Sequence, residues 1–97
     1  MAKITITGID EPELALEILK RNISRRLAEI KEQVDELNSI VESLRGKYGL
    51  DWEEFKKRFE NGELPEESDS DFVEWRAAIE ILGELTPEER VLRELLE

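Results

Sequence analysis

Eight apolar residues recur without a break along one stretch of this chain: Ile23, Leu27, Ile30, Val34, Leu37, Val41, Leu44 and Tyr48. Their spacing alternates four and three, the period of a coiled-coil face. No Gly or Pro lies between Pro12 and Gly46. A long helix with a narrow apolar stripe must lay that stripe on something. The seam therefore predicts a protein that works by contact.

Heptad register puts Leu27, Val34, Val41 and Tyr48 at a, and Ile23, Ile30, Leu37 and Leu44 at d. β-branched residues at a with Leu at d suit parallel two-stranded coils. The flanks object, because positions e and g carry Arg26, Lys31, Arg45 and Lys47 with no acid among them. Ile40, also at g, widens the stripe beyond a two-helix seam. Basic flanks call for an acidic surface, and the chain's own C-terminal half supplies one. Three coverings stay open: intramolecular or domain-swapped packing, a homodimeric coil, or a foreign partner.

The chain ends and turns are legible in their capping residues. Lys3 to Thr7 alternates polar and β-branched residues, which predicts a strand with Ile4 and Ile6 on one face. A lone strand needs another chain to pair with. Asp10, Asp51, Asp71 and Thr86 each precede a Glu by three positions, the capping-box spacing. Pro12 and Pro87 sit in first-turn positions, where a missing N–H costs little. Gly46 and Gly49, Asn61-Gly62, and Gly83 read as stops. These signals predict a helix over 11–48, then short helices over 52–60, 72–82 and 87–96. The first spans roughly 55 Å at 1.5 Å per residue, and the others only about 14–17 Å each. Short helices of that length cannot cover the seam, so part of it is expected to be buried between chains.

The expected fold is all-α: a strand arm over 1–9, a long coiled-coil helix over 10–49, and an acidic mini-bundle of three short helices over 50–97. The expected oligomer is a dimer held by Ile4, Ile6 and the seam residues Ile23 to Leu44.

Composition narrows the chemistry. The chain has 97 residues, no Cys and no His, so disulfides, thiolate metal sites and the commonest general base are all excluded. Every carboxylate falls in a cap, a charged stripe or a loop, so the sequence predicts no enzyme and no cofactor. Glu67, Asp69 and Asp71 alternate like the opening of a calcium loop. The sixth position is Phe72 where Gly belongs, and the twelfth is Ala78 where a bidentate Glu belongs, so no metal is predicted. No apolar run reaches the length of a membrane span, and the first residues lack a signal-peptide pattern. A cytoplasmic protein is expected. The wealth of Glu, Lys and Arg, with one Gln and three Asn, has the bias of thermophile proteins.

The net charge of −11 argues against binding a phosphate backbone. Residues 1–29 are neutral, and residues 30–97 carry the whole excess. A protein partner with a basic surface suits that half. The one basic cluster is Lys20-Arg21 and Arg25-Arg26; Glu17, Arg21, Arg25 and Glu29 are each four apart on one helix stripe and read as a ladder of i,i+4 ion pairs. A competing reading resembles the strand-then-helix opening of ribbon-helix-helix repressors, with Lys3, Thr5 and Thr7 facing a DNA groove. Those proteins break the helix about a dozen residues in, and this sequence does not.

Five of the six aromatic residues lie within residues 52–75. Trp52, Phe55 and Phe59 share one helix face, as do Phe72 and Trp75 with Ile79 and Leu82. They predict either a mini-core or a binding surface anchored by Trp.

Residues 47–82 resemble the C-terminal stretch of small antitoxin-like proteins encoded beside toxins in archaea and bacteria. The matching elements are Lys47-Tyr48-Gly49, Trp52 to Phe55, Gly62-Glu63-Leu64, an acidic stretch, and Glu74-Trp75. The resemblance implies a protein that binds and neutralises a toxin, often an RNA-targeting enzyme with a basic cleft. On the reading of the aromatics as a binding surface, Trp52, Phe55, Phe59, Phe72 and Trp75 are the partner-binding residues. The alternatives from the residues themselves are a structural or chaperone-like homo-oligomeric coiled coil, and a dimeric DNA-binding regulator.

Overall fold

The computed structural model describes Gly8 and residues 10–97. The described residues form three helices: α1 over Pro12–Tyr48, α2 over Trp52–Glu60 and α3 over Ser68–Leu96. The expected strand, with Ile4 and Ile6, lies outside the described residues. α3 packs along α1, and α2 fills the bend between them. The result is a rod of 63 × 19 × 18 Å with a radius of gyration of 19.5 Å. A compact domain of this length would have a radius near 13 Å.

α1 ends as its sequence dictates. Gly49 adopts φ 66°, and its N–H donates to the carbonyl of Arg45 at 2.7 Å, a left-handed cap that a side chain would strain. Gly46 lies within the helix and does not stop it. At the other end Asp10 does not cap: Glu11 takes the N-cap position and makes no side-chain bond, while Pro12 opens the helix.

α2 begins and ends as expected. The carboxylate of Asp51 accepts from the N–H of Glu54 at 2.9 Å. Glu54 does not complete a capping box, because its side chain turns to Arg58 at 3.1 Å. At the C-terminus the N–H of Glu63 bonds the carbonyl of Arg58, and that of Gly62 bonds Phe59. This is the paired bonding of a Schellman motif, with Gly62 at φ 71°.

The expectation of two further short helices is corrected. One helix of 29 residues runs from Ser68 to Leu96, straight through Gly83, Thr86 and Pro87. Thr86 does not cap. Its hydroxyl donates back to the carbonyl of Leu82 at 2.9 Å. Pro87 sits inside the helix and offers no N–H to the carbonyl one turn earlier. Gly and Pro in a helix interior cost about 1 and about 3 kcal/mol. Against this, Leu85 is buried, and Leu82, Leu92, Leu95 and Leu96 are half-buried. At about 1.5–3 kcal/mol for a fully buried side chain, and a fraction of that for each half-buried one, packing outweighs the break.

The length of α3 changes the account of the seam. It is roughly 44 Å long, against about 55 Å for α1. One chain therefore covers most of its own seam: Ile30 and Leu44 are buried, and Ile23, Leu27, Val34, Leu37, Val41 and Tyr48 are half-buried. The argument from short helices, that the seam must be shared between chains, no longer holds.

Candidate interaction surface

Two polar links set the register of α1 on α3. Near the bend, the Oδ2 of Asp71 accepts from Lys47 Nζ at 2.6 Å and from the Tyr48 hydroxyl at 2.5 Å. Far from the bend, Arg26 binds Glu88 through both its Nε, at 2.7 Å, and a terminal nitrogen, at 3.0 Å. Lys47 and Arg26 are both g positions of the seam. The basic flank thus meets acids of the chain's own α3, the geometry that a parallel homodimeric coil could not provide. Arg26 also reaches Glu29 at 3.4 Å.

These links shift the ionisable groups. Asp71 is held below its ordinary value of 3.8 by the hydrogen bond from Lys47 and then by that from Tyr48. Glu88 is held below 4.5 by its hydrogen bond to Arg26. Tyr48 rises above 10.0, first through burial and then because its hydroxyl donates to a carboxylate. Asp71, expected as a cap, is instead a tether between helices.

The aromatic residues gather at the bend. Phe55 and Trp75 have no exposed surface, and Phe72 is buried with Leu44 in the same cluster. Ring centroids lie 4.8 Å apart for Phe55 and Trp75, and 4.7 Å for Tyr48 and Phe55. Phe59 stacks on Phe72 at 4.0 Å and 7°. Trp52 touches both α3 rings, at 5.4 Å from Phe72 and 5.7 Å from Trp75. Of the five aromatics singled out by sequence, Phe55, Phe72 and Trp75 thus face inward. Trp52 and Phe59 remain half-exposed. The indole Nε1 of Trp75 is buried without an acceptor.

One stretch of the chain beside this core is strongly acidic. Residues 59–75 contain seven carboxylates and no Lys or Arg. Glu60, Glu63, Glu66, Glu67, Asp69 and Glu74 are exposed, and only Asp71 is drawn inward. Phe59 and Leu64, both half-exposed, fall within this run, and Arg76 follows it with its guanidinium 5.5 Å over the Phe72 ring. Among the described residues no three or more potential metal ligands converge. No described helix is long and apolar enough to cross a membrane.

The far end of the rod carries a feature that sequence periodicity passed over. Leu14, Ile18 and Leu19 lie off the seam and are 45, 43 and 40 % exposed, and Val91 on α3 is 47 % exposed. In the seam's register Leu14 and Ile18 fall at b and f, on the side of α1 away from the seam, and Leu19 falls at g. The ladder predicted from Glu17, Arg21, Arg25 and Glu29 is not among the ion pairs of the described residues: Arg25 donates to Asn22, and Glu29 pairs with Arg26.

Comparison with protein-family models, curated proteins and solved structures finds no match to this chain.

Proposed function

We propose that this chain is a non-enzymatic protein-interaction module, an antitoxin that binds and neutralises a basic, RNA-targeting toxin. The observation that carries the reading is the run of seven carboxylates over residues 59–75, six of them exposed, in the same part of the chain as half-exposed Trp52 and Phe59. An excess of carboxylates steers a basic partner from a distance, and the half-exposed rings give it apolar area to bury. The motifs shared with antitoxin-like proteins fall on this same region. The chain acts as a homodimer in this reading, in the cytoplasm of a thermophile, and needs no cofactor.

The test is co-expression with the product of the adjacent gene. Expression of that product alone is expected to arrest growth, and the full chain to restore it and co-purify with it. Reversing Glu63, Glu66, Glu67 and Asp69 to Lys should abolish both effects while the helices remain folded by circular dichroism. Association should slow as salt shortens the reach of charge to about 8 Å at physiological ionic strength. A neighbour that neither arrests growth nor binds refutes the antitoxin reading. A complex undiminished by charge reversal refutes the surface.

The alternative, a structural or chaperone-like homo-oligomer, is favoured by the elongated shape. It predicts self-association with no effect on a toxic neighbour.

A further inference from the structure

The first half of α3 has two apolar sides, and the rest of the chain uses one of them. On that side Phe72, Trp75 and Ala78 are buried, Asp71 is tied to α1, and Phe59 of α2 stacks on Phe72. On the other side Val73, Ala77 and Ile81 recur every fourth residue, all exposed. At about 100° per residue they span about 80° of the helix surface, and Trp75 stands roughly 160° from the middle of that arc. Val73 is 56 % exposed, more than any other large apolar side chain among the described residues, and Ile81 is 39 % exposed. The strip borders α1 as well. The links Lys47–Asp71 and Arg26–Glu88 both join g positions of α1 to α3. Ile40, a half-buried g position between them, falls level with Ala77. It is the residue that widens the seam beyond two helices, and it edges this strip on the side of the α1–α3 pair away from α2.

Carboxylates surround the strip. By helical position Asp69 and Glu80 lie along one flank, Glu74 lies along the other, and Glu84 closes the end, all exposed. Among the described residues none of the four has an ion-pair partner. The nearby bases are engaged elsewhere: Lys47 by Asp71, Arg26 by Glu88, and Arg76 over the Phe72 ring on the α2 side. An apolar strip flanked by unpaired carboxylates is complementary to an amphipathic helix whose apolar stripe is flanked by Lys and Arg. The same charge turns away a second copy of the strip, nucleic acid and an anionic lipid surface.

We infer that Val73, Ala77 and Ile81 seat a basic amphipathic helix of a partner protein, laid along α3 beside Ile40 as a further helix. Ala77, small between two larger side chains, is the low point into which a side chain of the incoming helix fits. From Asp69 to Glu84 the strip is roughly 22 Å long, about four turns of that helix. The inference rests on the reading of a basic partner. It adds a second landing place beyond the acidic run and states which element of the partner lands there.

The probe is a synthetic helical peptide of about 16 residues, the length the strip admits, with Leu along one face and Lys on both flanks. It is titrated into the full chain by fluorescence anisotropy at physiological salt. The control peptide has the same composition with its leucines scattered around the helix, and the probe should bind roughly tenfold tighter than this control. Val73→Gln with Ile81→Gln removes the apolar anchors without changing charge and should weaken the probe about tenfold. Glu74→Lys, Glu80→Lys and Glu84→Lys together should abolish binding. Glu13→Lys, Glu17→Lys and Glu53→Lys change the net charge as much but lie off the strip, and should leave affinity within about threefold because salt screens distant charges. All these side chains are exposed, so helix content by circular dichroism should not change. Equal binding of the two peptides, binding that survives both strip variants, or equal loss in the off-strip triple overturns the inference. So does self-association that Val73→Gln with Ile81→Gln dissolves, which gives the strip to a second copy. The antitoxin reading fails separately, on a neighbouring gene product that does not bind. A neighbour that binds through residues 59–75 and ignores the strip variants keeps that reading and overturns this inference.

Discussion

Truncating Trp75 separates two opposing contributions within the core at the bend. The side chain has no exposed surface and packs 4.8 Å from Phe55 and 5.7 Å from Trp52, centroid to centroid. Deleting a buried large aromatic costs about 3–5 kcal/mol, of which each ring contact accounts for about 0.5–1.5. Against this, the Nε1–H is buried with no acceptor. An unmet donor costs the native state about 1–3 kcal/mol, and removing it returns that amount. Trp75→Ala is therefore expected at the low end of its range, about 3 kcal/mol. Trp75→Phe keeps a six-membered ring and discards the donor. The roughly two carbons lost, at about 0.8 kcal/mol each, are offset by the relieved N–H, so the variant should stay within about 1 kcal/mol of the parent. The assay is urea unfolding followed by far-UV circular dichroism at one fixed protein concentration, since any dimer makes stability depend on concentration. A domain this size is stable by about 5–15 kcal/mol, so the Ala variant should lose a large share of its midpoint. If Trp75→Ala costs under about 1 kcal/mol, Trp75 is not in the core. If Trp75→Phe costs as much as Trp75→Ala, the donor is satisfied and the offset is wrong.

Two further expectations test the helix boundaries and the tethers. Gly83→Ala should stabilise by about 0.5–1 kcal/mol, because Gly83 is helical with open space where a Cβ would go. Gly49→Ala should destabilise by about 1–2 kcal/mol, because its φ of 66° is left-handed. Thermal melts of both variants decide the matter, and destabilisation by Gly83→Ala would mean that α3 ends there. Asp71 and Glu88 both have lowered folded values, so their contribution is present above the ordinary carboxylate values of 3.8 and 4.5 and is lost as pH falls below them. Tyr48 has a raised value, so its contribution is present below 10.0 and is lost as pH climbs through the folded value. Asp71→Asn should flatten the acid side of a stability-against-pH curve, and an unchanged acid slope would show that the tether does not form.

Sequence alone determined the all-helical class, α1 and α2 almost to the residue, and the stripe that each helix buries. Those features are local. Periodicity needs only the chain's own spacing, and Gly49, Asp51 and Asn61-Gly62 satisfy backbone groups within a few residues of themselves. Tertiary structure decided the rest. Gly83, Thr86 and Pro87 form a credible stop, yet α3 passes through them because Leu82, Leu85 and Leu92 bury more against α1 than the break is worth. Asp71 looks like a cap until Lys47 and Tyr48 arrive from another helix and claim its carboxylate. The seam from Ile23 to Tyr48 states that a face must be covered but not by what, since any complementary helix serves. The 29 residues of α3 supplied that cover from within the chain. Only with α3 in place did its outer side emerge as a second apolar strip, with Val73, Ala77 and Ile81 left in the open.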